Sequence, residues 1–112
     1  MTEATPLHHE HPVEYPRGAP SLGEDEAREL DAQVDPAWRR DGIERLRREF
    51  GFANFRDAFG FATRVALLAE REFHHPELTV SWGSVVVTSW THTVGGLSRN
   101  DYILAARIDR LA

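Results

Sequence analysis

Apolar residues recur at helical spacing downstream of Asn54, where Phe55, Ala58, Phe59, Ala62, Val65, Ala66, Ala69 and Phe73 fall on one stripe. Asn54 suits the N-cap position, with Asp57 three residues on. The pattern predicts a central helix that has stopped before Pro76, whose ring and missing N–H cannot continue it. Gly60 inside this helix costs about 1 kcal/mol relative to Ala, so close packing is expected there. Beyond Pro76 the period changes to two. Val85 to Thr91 is rich in β-branched and aromatic residues. Alternation sends Val85, Val87, Ser89 and Thr91 to one face, and Val86, Thr88, Trp90 and His92 to the other. With Thr79 to Trp82 before it and Gly83-Ser84 as the turn, this stretch reads as a hairpin. Gly95-Gly96 is a loop, and Ser98 to Asp101 caps a last helix carrying Ile103, Leu104, Ile108 and Leu111.

The pattern is weaker upstream. Ser21-Leu22-Gly23-Glu24 resembles a capping box, although Gly23 could equally be the cap. A short helix to about Gln33 follows, with Leu22, Leu30 and Val34 toward the core, and Asp35-Pro36 ends it. Residues 37 to 52 stay undecided: Asp41 to Glu49 passes as a helix, but Leu46, Phe50 and Phe52 suit neither period. Residues 1–20 carry four of the six prolines and no apolar periodicity. They are expected to form a flexible tail ahead of one domain over 21–112.

Composition narrows the class. A chain of 112 residues, 41% apolar and 28% charged, is expected to be a single soluble globular domain. A net charge of -5 argues against nucleic acid as a ligand, since phosphate contacts need clustered Lys and Arg. Without cysteine, disulfides and thiolate metal sites are unavailable. No apolar run approaches the roughly 20 residues of a membrane span. The N-terminus lacks the basic-then-apolar order of a secretory signal, so the cytoplasm is the expected compartment.

The candidate chemistry gathers where secondary structure changes. His74 and His75 follow the central helix, Glu70 lies one helical turn before His74, and His92 ends the long strand. If that strand packs beside the helix end, the three histidines face one pocket. One imidazolium can then donate a proton while another group accepts one. Blander explanations exist for each residue. Adjacent histidines are frequent in loops, Asp101 is most simply a capping-box carboxylate, and Trp38, Trp82 and Trp90 suit a core or interface. Three histidines and a carboxylate would also suit zinc. Neighbouring histidines in extended chain point apart, however, and the helical pair at i and i+4 is absent, so no metal is expected. His8, His9 and His11 are expected to be solvated rather than metal-bound.

Several ordered segments together carry a resemblance. They are Phe50-Gly51-Phe52, the run from Asn54 to Phe61, Thr63 to Leu67, Ala69-Glu70, His74-His75-Pro76-Glu77, Thr91-His92, Gly96-Leu97-Ser98, and Asp101 with Leu104-Ala105. At these residues the chain resembles the pterin-4a-carbinolamine dehydratase family, over about residues 36 to 112. The resemblance implies an α+β fold: three helices on one face of a four-stranded antiparallel sheet, in the order α-β-β-α-β-β-α. The undecided segment would then supply two strands, near Trp38 and from about Ile43 to Phe52.

The implied reaction is loss of water from a 4a-hydroxytetrahydropterin, giving the quinonoid dihydropterin in tetrahydrobiopterin recycling. An aromatic amino acid hydroxylase would be the functional partner, and a homodimer or homotetramer the assembly. His74 and His92 would be the acid/base pair, with His75 mainly holding the pterin and Glu70 and Asp101 orienting and tuning them. Pro76 and the backbone of Thr91, His92, Thr93 and Val94 would line the pocket. No metal or redox cofactor is implied. The chain departs from the family at Leu78, where an aromatic residue is usual, and at Trp82, which replaces a Tyr. Ser89 stands in place of a core-facing aliphatic, and Trp90 in place of a small residue. Some relatives act instead as non-catalytic dimerisation or assembly partners. Retention of His74, His75, His92 and Asp101 together favours the enzyme.

Overall fold

The computed structural model describes residues 5–112. In chain order it contains α1 (Glu24–Asp31), β1 (Arg39–Asp41), β2 (Arg45–Gly51), α2 (Phe55–Glu72), β3 (Glu77–Ser81), β4 (Ser84–Ser89) and α3 (Arg99–Asp109). This is the expected α+β order, and the sheet runs β1-β2-β4-β3 with every neighbouring pair antiparallel. Leu46, Phe50, Val85 and Val87 of the sheet share one core with Leu30 of α1, Phe61 and Val65 of α2, and Tyr102, Leu104 and Ile108 of α3. The helices therefore cover a single face. No helix among the described residues is long and apolar enough to cross a membrane.

The segment undecided from sequence forms β1 and β2. In β2, Leu46 and Phe50 are buried while Arg47 and Glu49 are exposed, so its period is two. The inward position between them belongs to Arg48. Its guanidinium lies 4.3 Å from the Phe50 ring centroid and meets Asp109 of α3 at 2.7 Å. Trp38 Nε1 donates to the same Asp109 carboxylate at 2.7 Å. A charge paired inside the fold thus occupies a position where alternation leads one to expect an apolar residue.

Helix α2 starts at Asn54, whose side chain accepts from the Asp57 N–H. Its buried face comprises Ala58, Phe61, Ala62, Val65, Leu68 and Ala69. The expected stripe is therefore rotated: Phe61 and Leu68 turn inward, while Phe55, Phe59, Ala66 and Phe73 are exposed. Apolar residues cover so much of this helix that two overlapping stripes fit the helical period. Packing selects the one that sets Phe61 against Phe50 and Phe52, with ring centroids 4.6 and 5.2 Å apart. Gly60 is exposed, and a Cβ there would meet nothing within 4 Å, so the close packing expected at that point is absent.

Two local registers also shift. The hairpin turn is Trp82-Gly83, one residue earlier than expected, with Ser81 pairing Ser84. The faces of β4 are as expected, with Val85, Val87 and Ser89 buried. Gly23 caps α1, and Glu26 reaches back to its N–H; Glu24 pairs with Arg40 at 2.9 Å instead of closing a box with Ser21.

The expectation of a flexible tail does not describe residues 5–20. A short 3-10 turn, Leu7–His9, puts Leu7 into the core at 3% exposure. Glu10 then makes a two-point ion pair with Arg99, and its carbonyl accepts from Arg107. Asn100 bonds both the N–H and the C=O of Val13, at 2.9 and 2.6 Å. The Gly18 N–H donates to the Thr93 carbonyl. These partners satisfy backbone groups that a proline-rich segment cannot satisfy by itself. Residues 1–4 of the expected tail lie outside the described residues.

Candidate active site

Ser98 caps α3: its hydroxyl accepts from the Asn100 N–H, and Asp101 three residues on accepts from the Ser98 N–H at 2.9 Å. Asp101 is fully buried and receives three further groups. Ser89 Oγ donates to Oδ1 at 2.6 Å, Thr91 Oγ1 donates to Oδ2 at 2.9 Å, and His74 Nε2 lies 2.7 Å from Oδ1. The capping role and the histidine-holding role thus belong to one carboxylate. Thr91 spends its hydroxyl hydrogen on Asp101, so in the 2.6 Å contact between Thr91 Oγ1 and Ser98 Oγ the serine is the donor. A directed chain results, from the Asn100 N–H through Ser98 and Thr91 to Asp101. With donors on both oxygens the carboxylate is an acceptor throughout. His74 then carries hydrogen on Nε2, and Nδ1 is its proton-accepting nitrogen.

His74 reaches this position through the end of α2. Phe73 adopts the left-handed conformation at φ 57°, and the His74 N–H returns to the Ala69 carbonyl. That turn leaves Phe73 81% exposed and swings His74 inward, to 9%. A non-glycine residue in this region is uncommon and carries modest strain, which the His74–Asp101 contact offsets.

Above His74 opens a pocket of about 650 Å³, within the range of small-molecule sites. His74, His75, Thr91, His92 and Thr93 are among the residues that line it. His92 is exposed and stacks on Trp90, with ring centroids 4.7 Å apart and planes 6° apart. Arg45 lies over the same Trp90 ring at 4.0 Å. Pro76, Val94 and Glu70 are not among the lining residues. The Glu70 carboxylate, 72% exposed, instead meets His75 Nε2 at 2.8 Å. One helical turn separates Glu70 from His74, but the left-handed residue between them redirects the chain. Among the described residues no three His, Asp or Glu side chains converge to hold a metal ion.

The pocket also includes groups that sequence reasoning missed. Trp90 was placed in a core or interface, yet it lines the cavity. Glu72, with only 6% of its side chain exposed, accepts from His11 at 2.7 Å and lies 3.6 Å from Arg107. Tyr15, Asn100 and the run from Pro12 to Pro16 contribute as well. For Glu72, a carboxylate just ahead of His74-His75 was a usable signal. For residues 12–16 no local signal existed.

Three helices on one face of an antiparallel sheet, with a histidine-lined pocket at the sheet's end, define the class of this protein. Comparison with known proteins agrees. The family model described as pterin 4 alpha carbinolamine dehydratase matches residues 20–111. A relative from Chlorobium luteolum named "Putative pterin-4-alpha-carbinolamine dehydratase" is 48% identical over 102 residues, covering 88% of this chain and 89% of its own. A transcriptional coactivator/pterin dehydratase from Brucella melitensis has a solved structure that matches with TM-score 0.75 at 36% identity, covering 82% of this chain and 98% of that one. A pterin dehydratase-like protein identified as a RuBisCO assembly factor in the alpha-carboxysome matches with TM-score 0.58 at 26% identity, covering 68% and 89%. The chain belongs to the pterin 4 alpha carbinolamine dehydratase family.

Proposed function

We propose that this protein dehydrates a 4a-hydroxytetrahydropterin to the quinonoid dihydropterin. The observation that carries the reading is the buried His74–Asp101 pair at a pocket also lined by His75 and His92. The reaction needs one proton delivered to the 4a-oxygen, which leaves as water, and one removed from N5. Two imidazoles can perform this exchange near neutral pH. Asp101 holds Nε2 of His74, so Nδ1 is the nitrogen that gives or takes the proton. His92 is exposed and can exchange its proton with solvent. His75, held from outside by Glu70, contributes to binding the ring, with Thr91 and Thr93 beside it. Pro76 and Val94 act by shaping the backbone on either side. A proton in and a proton out require no metal or redox cofactor. In this reading the enzyme works in the cytoplasm, and an aromatic amino acid hydroxylase supplies the substrate in tetrahydrobiopterin recycling.

A second reading, as an assembly partner, is supported by the α-carboxysome relative and by the apolar outer stripe of α2. Phe55, Phe59 and Leu67 are 49%, 56% and 65% exposed there. Such a stripe suits a second copy of this chain in a dimer or tetramer, or another protein. The deciding experiment follows the decay of freshly made 4a-hydroxytetrahydropterin by ultraviolet absorbance, with and without metal-stripped protein. Strong acceleration is expected. His74→Ala and His92→Ala should each lose much of it, and the double variant should approach background. Wild-type turnover in a folded double variant overturns these roles. No acceleration by folded wild-type protein favours the assembly reading.

A further inference from the structure

The family match begins at residue 20, yet five consecutive residues ahead of it, Pro12 to Pro16, line the same pocket as His74, His75 and His92. We infer that this N-terminal segment is a wall of the substrate site and that Tyr15 is the residue through which it binds the pterin ring; the inference rests on the dehydratase reading above.

The segment is anchored on both sides of Tyr15. Upstream, Leu7 sits in the core, Glu10 is clasped by Arg99 and Arg107, and His11 meets Glu72. Val13 is held through both backbone groups by Asn100, and downstream Gly18 bonds to Thr93. Asn100 neighbours Asp101, and Thr93 neighbours His92, so the anchors belong to the elements that carry the histidines. Pro12 and Pro16 bracket the wall and restrict its backbone. Tyr15 between them is half-buried and turns into the pocket. A tyrosine offers a large flat surface at little cost in rotamer freedom. With Phe73 and Trp90 in the same lining, the pocket presents three aromatic side chains besides its histidines, chemistry that suits a planar bicyclic heteroaromatic ligand.

The test uses full-length protein and reads KM separately from kcat, alongside binding of a stable dihydropterin followed by tryptophan fluorescence. Tyr15→Ala should raise KM and weaken dihydropterin binding about tenfold, with kcat moving less. Tyr15→Phe, which keeps the ring, should recover most of the loss. Arg99→Glu, at an exposed residue that lines no part of the pocket, should raise KM about threefold by releasing Glu10. Pairing it with Glu10→Arg should restore the value. A folded Tyr15→Ala protein with wild-type KM and wild-type dihydropterin affinity, in an active enzyme, overturns the inference and leaves the dehydratase intact. Wild-type protein that neither binds the dihydropterin nor accelerates the decay removes both.

Discussion

Ser89 donates its hydroxyl to Oδ1 of Asp101 at 2.6 Å, the same oxygen that faces His74 Nε2. Its side chain is buried at 1% exposure, so water cannot take its place. Two donors on one buried oxygen fix where that oxygen sits, and with it the imidazole it faces. Ser89→Ala leaves Oδ1 less firmly placed for the imidazole and should slow dehydration about fivefold. Folding should cost only about 1 kcal/mol, since Oδ1 keeps one partner. An unchanged rate would show that Ser89 serves packing alone.

Asp101→Asn keeps the shape and inverts part of the polarity. The amide NH2 must confront at least one donor among Ser89, Thr91, His74 and the Ser98 N–H. Thermal melting should show a loss of about 2 kcal/mol. Dehydration should slow about a hundredfold, because His74 no longer has a carboxylate to fix its protonated nitrogen. A variant as active as the parent would remove Asp101 from the mechanism.

The outer stripe of α2 leads to a third expectation. Phe59→Asp puts a charge on the surface proposed to meet a second copy. Sedimentation velocity should then show a smaller species than the parent, with the far-ultraviolet spectrum unchanged. Identical sedimentation would move the self-association surface elsewhere.

Acid should loosen the N-terminal segment. The hydrogen bond from Arg99 holds the Glu10 carboxyl below its ordinary value of 4.5. A carboxylate with a depressed folded-state pKa contributes stability above its unfolded value, and that contribution disappears as pH falls through the folded one. Hydrogen exchange at the Val13 and Gly18 amides should therefore accelerate at pH below that range, beyond the intrinsic pH effect. Glu10→Gln should be mobile already at neutral pH. If both proteins exchange alike at every pH, the Glu10–Arg99 pair does not hold the segment.

Much of this architecture was legible in the chain. The length and cap of α2 and the alternating faces of β4 follow from spacing, and the resemblance supplied the strands that spacing left open. What escaped notice did so for physical reasons. Arg48 hides the period of β2 because its charge is neutralised by Asp109, 61 residues away. Helix α2 reads one face off because Phe55 and Phe59 are apolar yet exposed. In the site, His74, His75 and His92 line one pocket, and their places at the ends of α2 and β4 follow from spacing. The pairing of Glu70 with His75 instead turns on one left-handed residue, Phe73, which no periodicity encodes. The wall at residues 12–16 is held by Asn100 and by anchors on Arg99, Arg107 and Glu72, partners that lie far along the sequence.

Leu7 gives that distance a practical meaning. Its side chain fills space among core residues, although it lies thirteen residues ahead of the stretch that the family model matches. A chain trimmed to the matched stretch would keep α1 to α3, the whole sheet and His74, His75 and His92, and still begin life with a hole in its interior. Emptying one buried leucine costs about 2–5 kcal/mol, a large share of what holds a domain of this size together.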